Sequence, residues 1–366
     1  MHNSKLSRAY WKQWIIKHEK LVSFAVFVGG FTLDNLTLRR IDRLLDILIL
    51  FGWLFVGSIG IILLNIAHHR PMHLKIFKKE SVFLPLLIPF ALGALFSGFT
   101  IFYMRSAVFA TSWPFLLIIL ALFLGNEFFK ERYLHLNFQV VILFTTVFFL
   151  MILFVPIVLG KIGDSIFLLS GAISLVAIGA FVHFLYFFLP KEARGNRKKL
   201  AVWIGGVFLV INFFYFTNLI PPVPLALVDG GVYHYVTHAG PGKYELLSEE
   251  PHWYDYFTFY DDIHVTEGEP VYAWSAIFAP TGLTTKIYHR WHYYDPGQGK
   301  WTDSGVISFN IFGGTDYGYR GYSEKTYLTP GKWRVDVSTE RGQVLGRIRF
   351  NVLRVESSVP LVTIVK

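Results

Sequence analysis

The sequence contains no cysteine. That excludes disulfides, thiolate metal sites and cysteine nucleophiles. Charge is scarce as well: Asp, Glu, Lys and Arg make up 16% of the chain, against about a quarter in a soluble domain. Acids are scarcest in residues 1–224, which carry about 9 Asp/Glu against 21 Lys/Arg, a net of +12. Residues 225–366 carry about 16 against 13, a net of −3. Catalytic signatures are missing too. There is no His-Glu-x-x-His, no Gly-x-Ser-x-Gly and no calcium-loop spacing. The apolar runs hold no paired array of carboxylates and histidines of the sort a proton relay uses. No strong internal repeat suggests a transporter. The sequence therefore points to no catalytic residue, no metal and no cofactor. No cleavable signal peptide is expected, because the N-terminus is polar and basic up to Lys20 and no small-residue cleavage site follows a short apolar run.

What is present is apolar: 53% hydrophobic residues, with 18% aromatic. A membrane span needs about 20 apolar residues to cross roughly 30 Å of hydrocarbon. Six stretches qualify: 44–66, 82–103, 108–126, 138–159, 166–189 and 200–220. A seventh, 21–33, reaches span length only if it continues to about Leu38. With seven spans, about 16 Lys/Arg fall in one set of loops and 5 in the other, so the N-terminus is expected in the cytoplasm and the C-terminus outside. The basic excess belongs to those loops rather than to a folded face, which argues against a nucleic-acid partner. The lipid bilayer is the expected partner.

Asp34, Asn35, Arg39, Arg40 and Asp42, followed by Arg43 and Asp46, form a polar cluster at the outer edge of the first two spans. They read either as mutual neutralisation at the interface or as a site for an anionic headgroup. His183, His68, His69 and His73 read as helix-packing or solvated-loop residues rather than ligands.

Pro221, Pro222 and Pro224 are expected to stop the last span. Residues 221–269 read as a linker with one strand near Val232–Val236. His234 and His238, four apart on that strand, would lie roughly 13 Å from each other, too far to share a metal. Glu249–Asp262 mixes acids with Trp253, Tyr254 and Tyr256, which suits a segment lying on the membrane interface or a platform for a sugar or cation. From Pro270 the period switches to two. Strands are expected at 271–279, 285–293, 306–312, 332–338 and 344–352, with Gly/Pro turns between them. Seven or so short strands suggest an immunoglobulin-like antiparallel sandwich. The expected fold is a seven-helix transmembrane bundle (21–220), after a basic N-terminus (1–20), followed by an all-β domain (270–366).

Several runs in that domain carry a resemblance. They are Ala279-Pro280, His289-Arg290-Trp291, Gly313-Gly314, Gly318-Tyr319-Arg320-Gly321-Tyr322, Leu328–Val335 and Gly346–Phe350. The domain resembles DUF2914, a family of bacterial membrane proteins of unknown function. Gly30–Asp34 and Arg40-Ile41-Asp42 look like the membrane part of similar proteins. The resemblance implies an outward-facing module on a helical base and brings no catalytic residues.

The alternation places His289 and Trp291 on one face of their strand, the inner one. Lys286, Tyr288, Arg290, His292, Arg334, Arg347 and Arg349 would share the other. That basic face reads as a solvated sheet surface or as a binding site for an anion. Arg320 and Tyr322 lie in a Gly- and Tyr-rich loop of the composition that recognition loops use. The expected function is a non-enzymatic, membrane-anchored binding or sensing module. Its ligand-binding residues would be Tyr288, Arg290, His292, Arg320, Tyr322, Arg334 and Arg347. The ligand would be an envelope glycan or polymer, an anionic lipid or a protein partner. The alternative is a membrane enzyme or transporter handling a lipid-linked anion at Asp34–Asp42.

Overall fold

The computed structural model describes residues 19–38, 40–69, 84–126, 132–188, 197–240, 242–250, 258–315 and 317–366. Arg39, His73, most of the basic loop residues and the aromatic run 251–257 lie outside the described residues.

Seven α-helices occupy the N-terminal part of the described residues: α1 (Glu19–Thr37), α2 (Leu44–His69), α3 (Leu84–Arg105), α4 (Phe109–Gly125), α5 (Leu136–Leu159), α6 (Asp164–Phe188) and α7 (Arg197–Phe216). Five of them, α2, α3, α5, α6 and α7, are long and apolar enough to cross a membrane; α4 is apolar but has 17 residues. At 1.5 Å per residue, the 24 residues of α5 span about 36 Å. This helix is apolar all round, and it is buried nearly throughout. Such a pattern fits the centre of a bundle rather than its rim. Phe149 of α5 packs against Phe99, Tyr103 and Phe115, while Phe148 stacks on Phe208 of α7.

Polar groups inside the bundle are tied to one another. Asn65 of α2 donates to the Gln139 side chain, Gln139 to the Tyr133 carbonyl, Tyr133 to Asn126, and Asn126 to the Pro89 carbonyl. In an apolar surround each of these groups would be costly if left unpaired. The chain of bonds thereby links α2, α3, α5 and the loop after α4.

α7 ends at Phe216, earlier than the prolines that were expected to stop it. Asn218 adopts a left-handed conformation (φ 57°), and the amides of Leu219 and Ile220 turn back to the Phe214 carbonyl. Asparagine tolerates that conformation, so the helix is closed before Pro221 is reached.

The C-terminal part is all β: β1 (Ala226–Tyr233), β2 (Tyr235–Gly240), β3 (Lys243–Glu249), β4 (Asp261–Val265), β5 (Val271–Phe278), β6 (Thr284–Asp295), β7 (Lys300–Phe312), β8 (Tyr319–Lys325), β9 (Gly331–Thr339), β10 (Val344–Arg354) and β11 (Leu361–Val365). Seven of these strands follow residue 270. The other four lie between 226 and 265, where one was expected, and the chain bends at His234 rather than running straight through it.

Three sheets result, ordered β1-β5-β8, β4-β10-β9-β6-β7 and β11-β3-β2. Neighbouring strands are antiparallel except β4 beside β10. β5 is buried on both faces, as its unbroken apolar run requires. On one side it packs with Ile287, Trp291, Val335, Ile348 and Phe350 of the five-stranded sheet. On the other, Tyr272 and Trp274 meet Tyr244 and Leu246 of the β11-β3-β2 sheet.

The β region is bolted to the helix ends. Arg341, in the β9–β10 turn, pairs with Asp164, donates to Asn218 Oδ1 at 3.0 Å and to the Phe216 carbonyl at 3.3 Å, and lies over the Tyr215 ring at 4.4 Å. Gln343 donates to the Ile220 carbonyl. At the other side Thr281 N–H reaches Asp42 Oδ2 at 3.1 Å, and Thr284 N–H reaches the Gly160 carbonyl.

Candidate functional site

Five of the expected site residues share one surface. Cross-strand partners lie on the same face of a sheet. The register sets Tyr288 opposite Ser338, Arg290 opposite Asp336 and His292 opposite Arg334. It then sets Asp336 opposite Arg347 and Arg334 opposite Arg349. Extending the same registers to β7 and β4 adds Asp303 and Asp262. Lys286, Arg290, Lys332, Arg334, Arg347 and Arg349 thus face three carboxylates across five strands.

Asp336 is the centre of that surface and was not among the expected site residues. Its side chain is 7% exposed, and its Oδ1 lies 3.4 Å from Arg334 Nε and 3.2 Å from Arg347 Nε. Those are ion-pair distances without hydrogen-bond alignment. His292 Nδ1 sits 2.7 Å from Asp303. Burial, with help from Arg334 and Arg290, holds the His292 pKa below its ordinary value despite the two acids. Rings alternate with the cations: Arg334 lies over Trp301 at 4.7 Å, Arg290 over Tyr288 at 5.5 Å and Lys332 over Tyr260 at 5.5 Å. Held planar guanidinium groups beside aromatic rings suit oxyanions such as carboxylate and phosphate.

Arg320 and Tyr322 are not part of this surface. They lie on β8, in the β1-β5-β8 sheet. Alternate residues of β8, Gly321 and Ser323, are buried against the five-stranded sheet; a Cβ on Gly321 would come 2.3 Å from the Phe309 ring. Tyr322 points the other way, toward Tyr244 and Tyr272.

His289 and Trp291 are core residues, as the alternation predicts. His289 is fully buried, with Nε2 2.8 Å from Ser275 Oγ and Nδ1 2.9 Å from Ser323 Oγ; Trp291 Nε1 donates to the same Ser323. Burial pushes the His289 pKa down to about 3, so the ring is neutral. A Ser–His pair so enclosed offers a substrate no approach, and it ties two sheets together instead. The Gly313 and Gly314 amides are likewise spent, on the carbonyls of Leu283 and Ala279.

The polar cluster at the helix edge is bonded within itself and to the β region. Ser97 donates to Asp34 at 2.6 Å, Arg105 to Asn35 Oδ1 at 2.9 Å, Arg40 to both oxygens of Asp42, and the Arg40 amide to Asp46. Beside it a cavity of about 280 Å³ opens between helices and strands, lined by Arg40, Arg105, Phe102, Leu153, Leu227 and Phe278.

A further cluster escaped sequence reasoning. His234 holds a carboxylate at each ring nitrogen, Glu269 at Nδ1 and Glu249 at Nε2, both at 3.0 Å; the other Glu249 oxygen meets His264 Nδ1 at 2.7 Å. Burial opposes charge on His234, but the two glutamates outweigh it and raise its pKa. Glu249 is correspondingly lowered to about 2, against burial, by hydrogen bonds from His234 and His264. Among the described residues no group of three or more His, Asp or Glu is arranged to hold a metal.

Comparison with known proteins adds little about activity. No curated protein matches the chain. Among solved structures, the Pseudomonas fluorescens alkylpurine DNA glycosylase AlkC, bound to DNA containing an abasic site analog, aligns over 86% of this chain and 99% of that one. The identity is 9% and the TM-score 0.22, so the alignment carries no argument about fold or function. Residues 284–352, from the start of β6 into β10, match the model of the family DUF2914, "Protein of unknown function", so that this stretch of the β region is a DUF2914 segment.

Proposed function

We propose that the chain is a membrane-anchored binding module. Seven crossings hold the β region outside the cytoplasmic membrane, and the five-stranded sheet presents an anion-binding face. The reading rests on the excess of six Lys/Arg over three carboxylates on that face, with arginines interleaved among rings. Arginine in a fixed position pays little entropy on binding a carboxylate or phosphate and gains a charge-assisted pair. The ligand class is therefore an anionic polymer of the cell envelope. The test uses the full-length protein in detergent and a soluble polyuronate. Losing two charge-assisted contacts in R290Q/R347Q should weaken binding about 100-fold, at roughly 1.5 kcal/mol each. Equal binding by the double variant would remove the assignment.

A second reading has its own observation, the seam cavity with Arg40 and Arg105 in a mostly apolar wall. An amphiphile with an anionic head, such as a lipid-linked phosphate, suits that lining. Filling the cavity with Ala226→Trp should then abolish the effect of anionic lipid on melting temperature, while polyuronate binding is kept.

A further inference from the structure

A cleft of about 410 Å³ lies at the edge of the β region, away from the arginine face. Three parts of the chain build it: the end of β2 and the turn after it (His238, Gly242), the start of β3 (Tyr244), and the segment entering β8 (Tyr317, Tyr319, Arg320). His238 packs on Tyr244 with ring centroids 4.2 Å apart, and the Tyr244 hydroxyl donates to the Arg320 carbonyl at 3.2 Å. That bond holds the wall against the strand that carries Arg320. Gly318 is left-handed (φ 78°), and a Cβ there would strike the Ile277 backbone at 2.8 Å, so the turn into β8 passes close under β5 and keeps Tyr317 and Tyr319 at the rim. Tyr317 is 75% exposed, so its ring is open to a ligand at the rim.

Arg320 carries the chemistry. Its Nε is buried and has no hydrogen-bond partner among the described residues. The enclosed Nε anchors the guanidinium in the wall, and its Nη1 lies 4.0 Å from where a Cβ on Gly242 of the cleft lining would sit. An open cleft walled by tyrosines, with a guanidinium set into it, matches a sugar that also bears an anionic group. The rings take the apolar face of the pyranose, and the guanidinium takes the carboxylate.

We propose that this cleft binds an acidic saccharide unit, a uronic acid, through Arg320 with Tyr317 and Tyr244 as ring walls. The inference deepens the reading of the β region as an envelope-polymer binder and rests on it. Its site is separate from the arginine face, so the two can fail separately.

The test is calorimetric titration of the full-length protein in detergent with a uronic-acid tetrasaccharide and with a neutral gluco-tetrasaccharide of equal length. The uronate should bind at least tenfold more tightly than the neutral sugar. R320Q should lower uronate affinity 10- to 100-fold, and R320K should recover part of it. Y317A, at an exposed position where folding is not at stake, should lower affinity for both sugars several-fold. In the R290Q/R347Q background, where the arginine face is disabled, R320Q and Y317A should lower uronate affinity by the same factors as in the wild type. Uronate binding lost in R290Q/R347Q but kept in R320Q and Y317A would overturn the cleft while leaving the arginine face standing. Equal affinity for the two sugars would overturn the role of Arg320. No binding of either tetrasaccharide, with polyuronate still bound, would also overturn the cleft; no binding of any of the three would remove both readings.

Discussion

His234 illustrates how much of this chain's chemistry is decided by residues distant in sequence. The ring is buried at a bend, and two glutamates 15 and 35 positions away complete its hydrogen bonding. Its pKa is raised from 6.5, so its contribution to stability is full below about pH 6.5 and is lost as pH rises through the folded value. Glu249 is lowered from 4.5 to about 2, so its contribution is full above about pH 4.5 and is lost as pH falls toward 2. The cluster therefore stabilises most between about pH 4.5 and 6.5. H234Q should flatten the dependence of melting temperature on pH across 4–8, and should cost about 1–3 kcal/mol at pH 5.5 from the unpaired acids. A profile with the same shape as the wild type would place the pH dependence elsewhere. Nothing in the local sequence announces this cluster. His234 looks like a strand residue, and Glu249 looks like one acid of an interfacial run. Only the pairing of β2 with β3 brings them together. By contrast, the burial of His289 and Trp291 is legible from alternation alone, because a period of two assigns faces without tertiary information.

At the scale of elements, the limit is that alternation assigns a face but not a sheet. Tyr288, Arg290, His292, Arg334 and Arg347 are correctly grouped by it, since β6, β9 and β10 are neighbours. Arg320 and Tyr322 are not, since β8 pairs with β5 instead. The strands β1 to β4 were mostly illegible for a related reason. They are distributed over all three sheets, β1 beside β5, β4 beside β10, and β2 and β3 with β11, which no local pattern announces. Asp336 shows the cost of building a cationic face. With Asn in its place, Arg334 and Arg347, 20% and 18% exposed, lose their shared counter-ion. D336N should destabilise the β region by about 2–4 kcal/mol, near the lower part of the range for breaking a buried pair. The same variant should bind polyuronate more tightly, because one negative charge has left the face. Opposite signs for stability and affinity distinguish a binding face from a purely structural one; a loss of both would favour the structural role. Gly313 makes a second element-scale case. A Cβ there would sit 1.8 Å from the Pro280 carbonyl, against the turn that also meets Asp42. G313A should cost about 1–3 kcal/mol or more through backbone displacement, seen as a drop in melting temperature.

For the whole molecule, the helices were legible because a bilayer-length apolar run is its own signature, whereas the number that cross is a matter of solvent rather than of helix. Five qualify by length and composition; α4 is short, and α1 is long enough only because it continues past Asp34 to Thr37. Asp34 is accommodated there by the Ser97 hydroxyl of α3, and Asn35 by Arg105, so the polar end of α1 is satisfied by a neighbouring helix. The proposed crossing of α1 makes the number of spans odd and sets the two ends of the chain on opposite sides. The absence of native cysteine makes the matter directly testable, since each introduced thiol is the only one. In intact spheroplasts a membrane-impermeant maleimide should label Y317C, beside the cleft, and should leave S4C and K198C unlabelled until the membrane is permeabilised. Labelling of S4C together with Y317C would mean that α1 does not cross and that six spans remain. Labelling of K198C but not Y317C would invert the protein and put both binding surfaces in the cytoplasm, out of reach of any envelope polymer. The arrangement with Y317C outside and the other two inside is the one that loop charge favours, and it gives the arginine face and the tyrosine cleft access to the same polyanion.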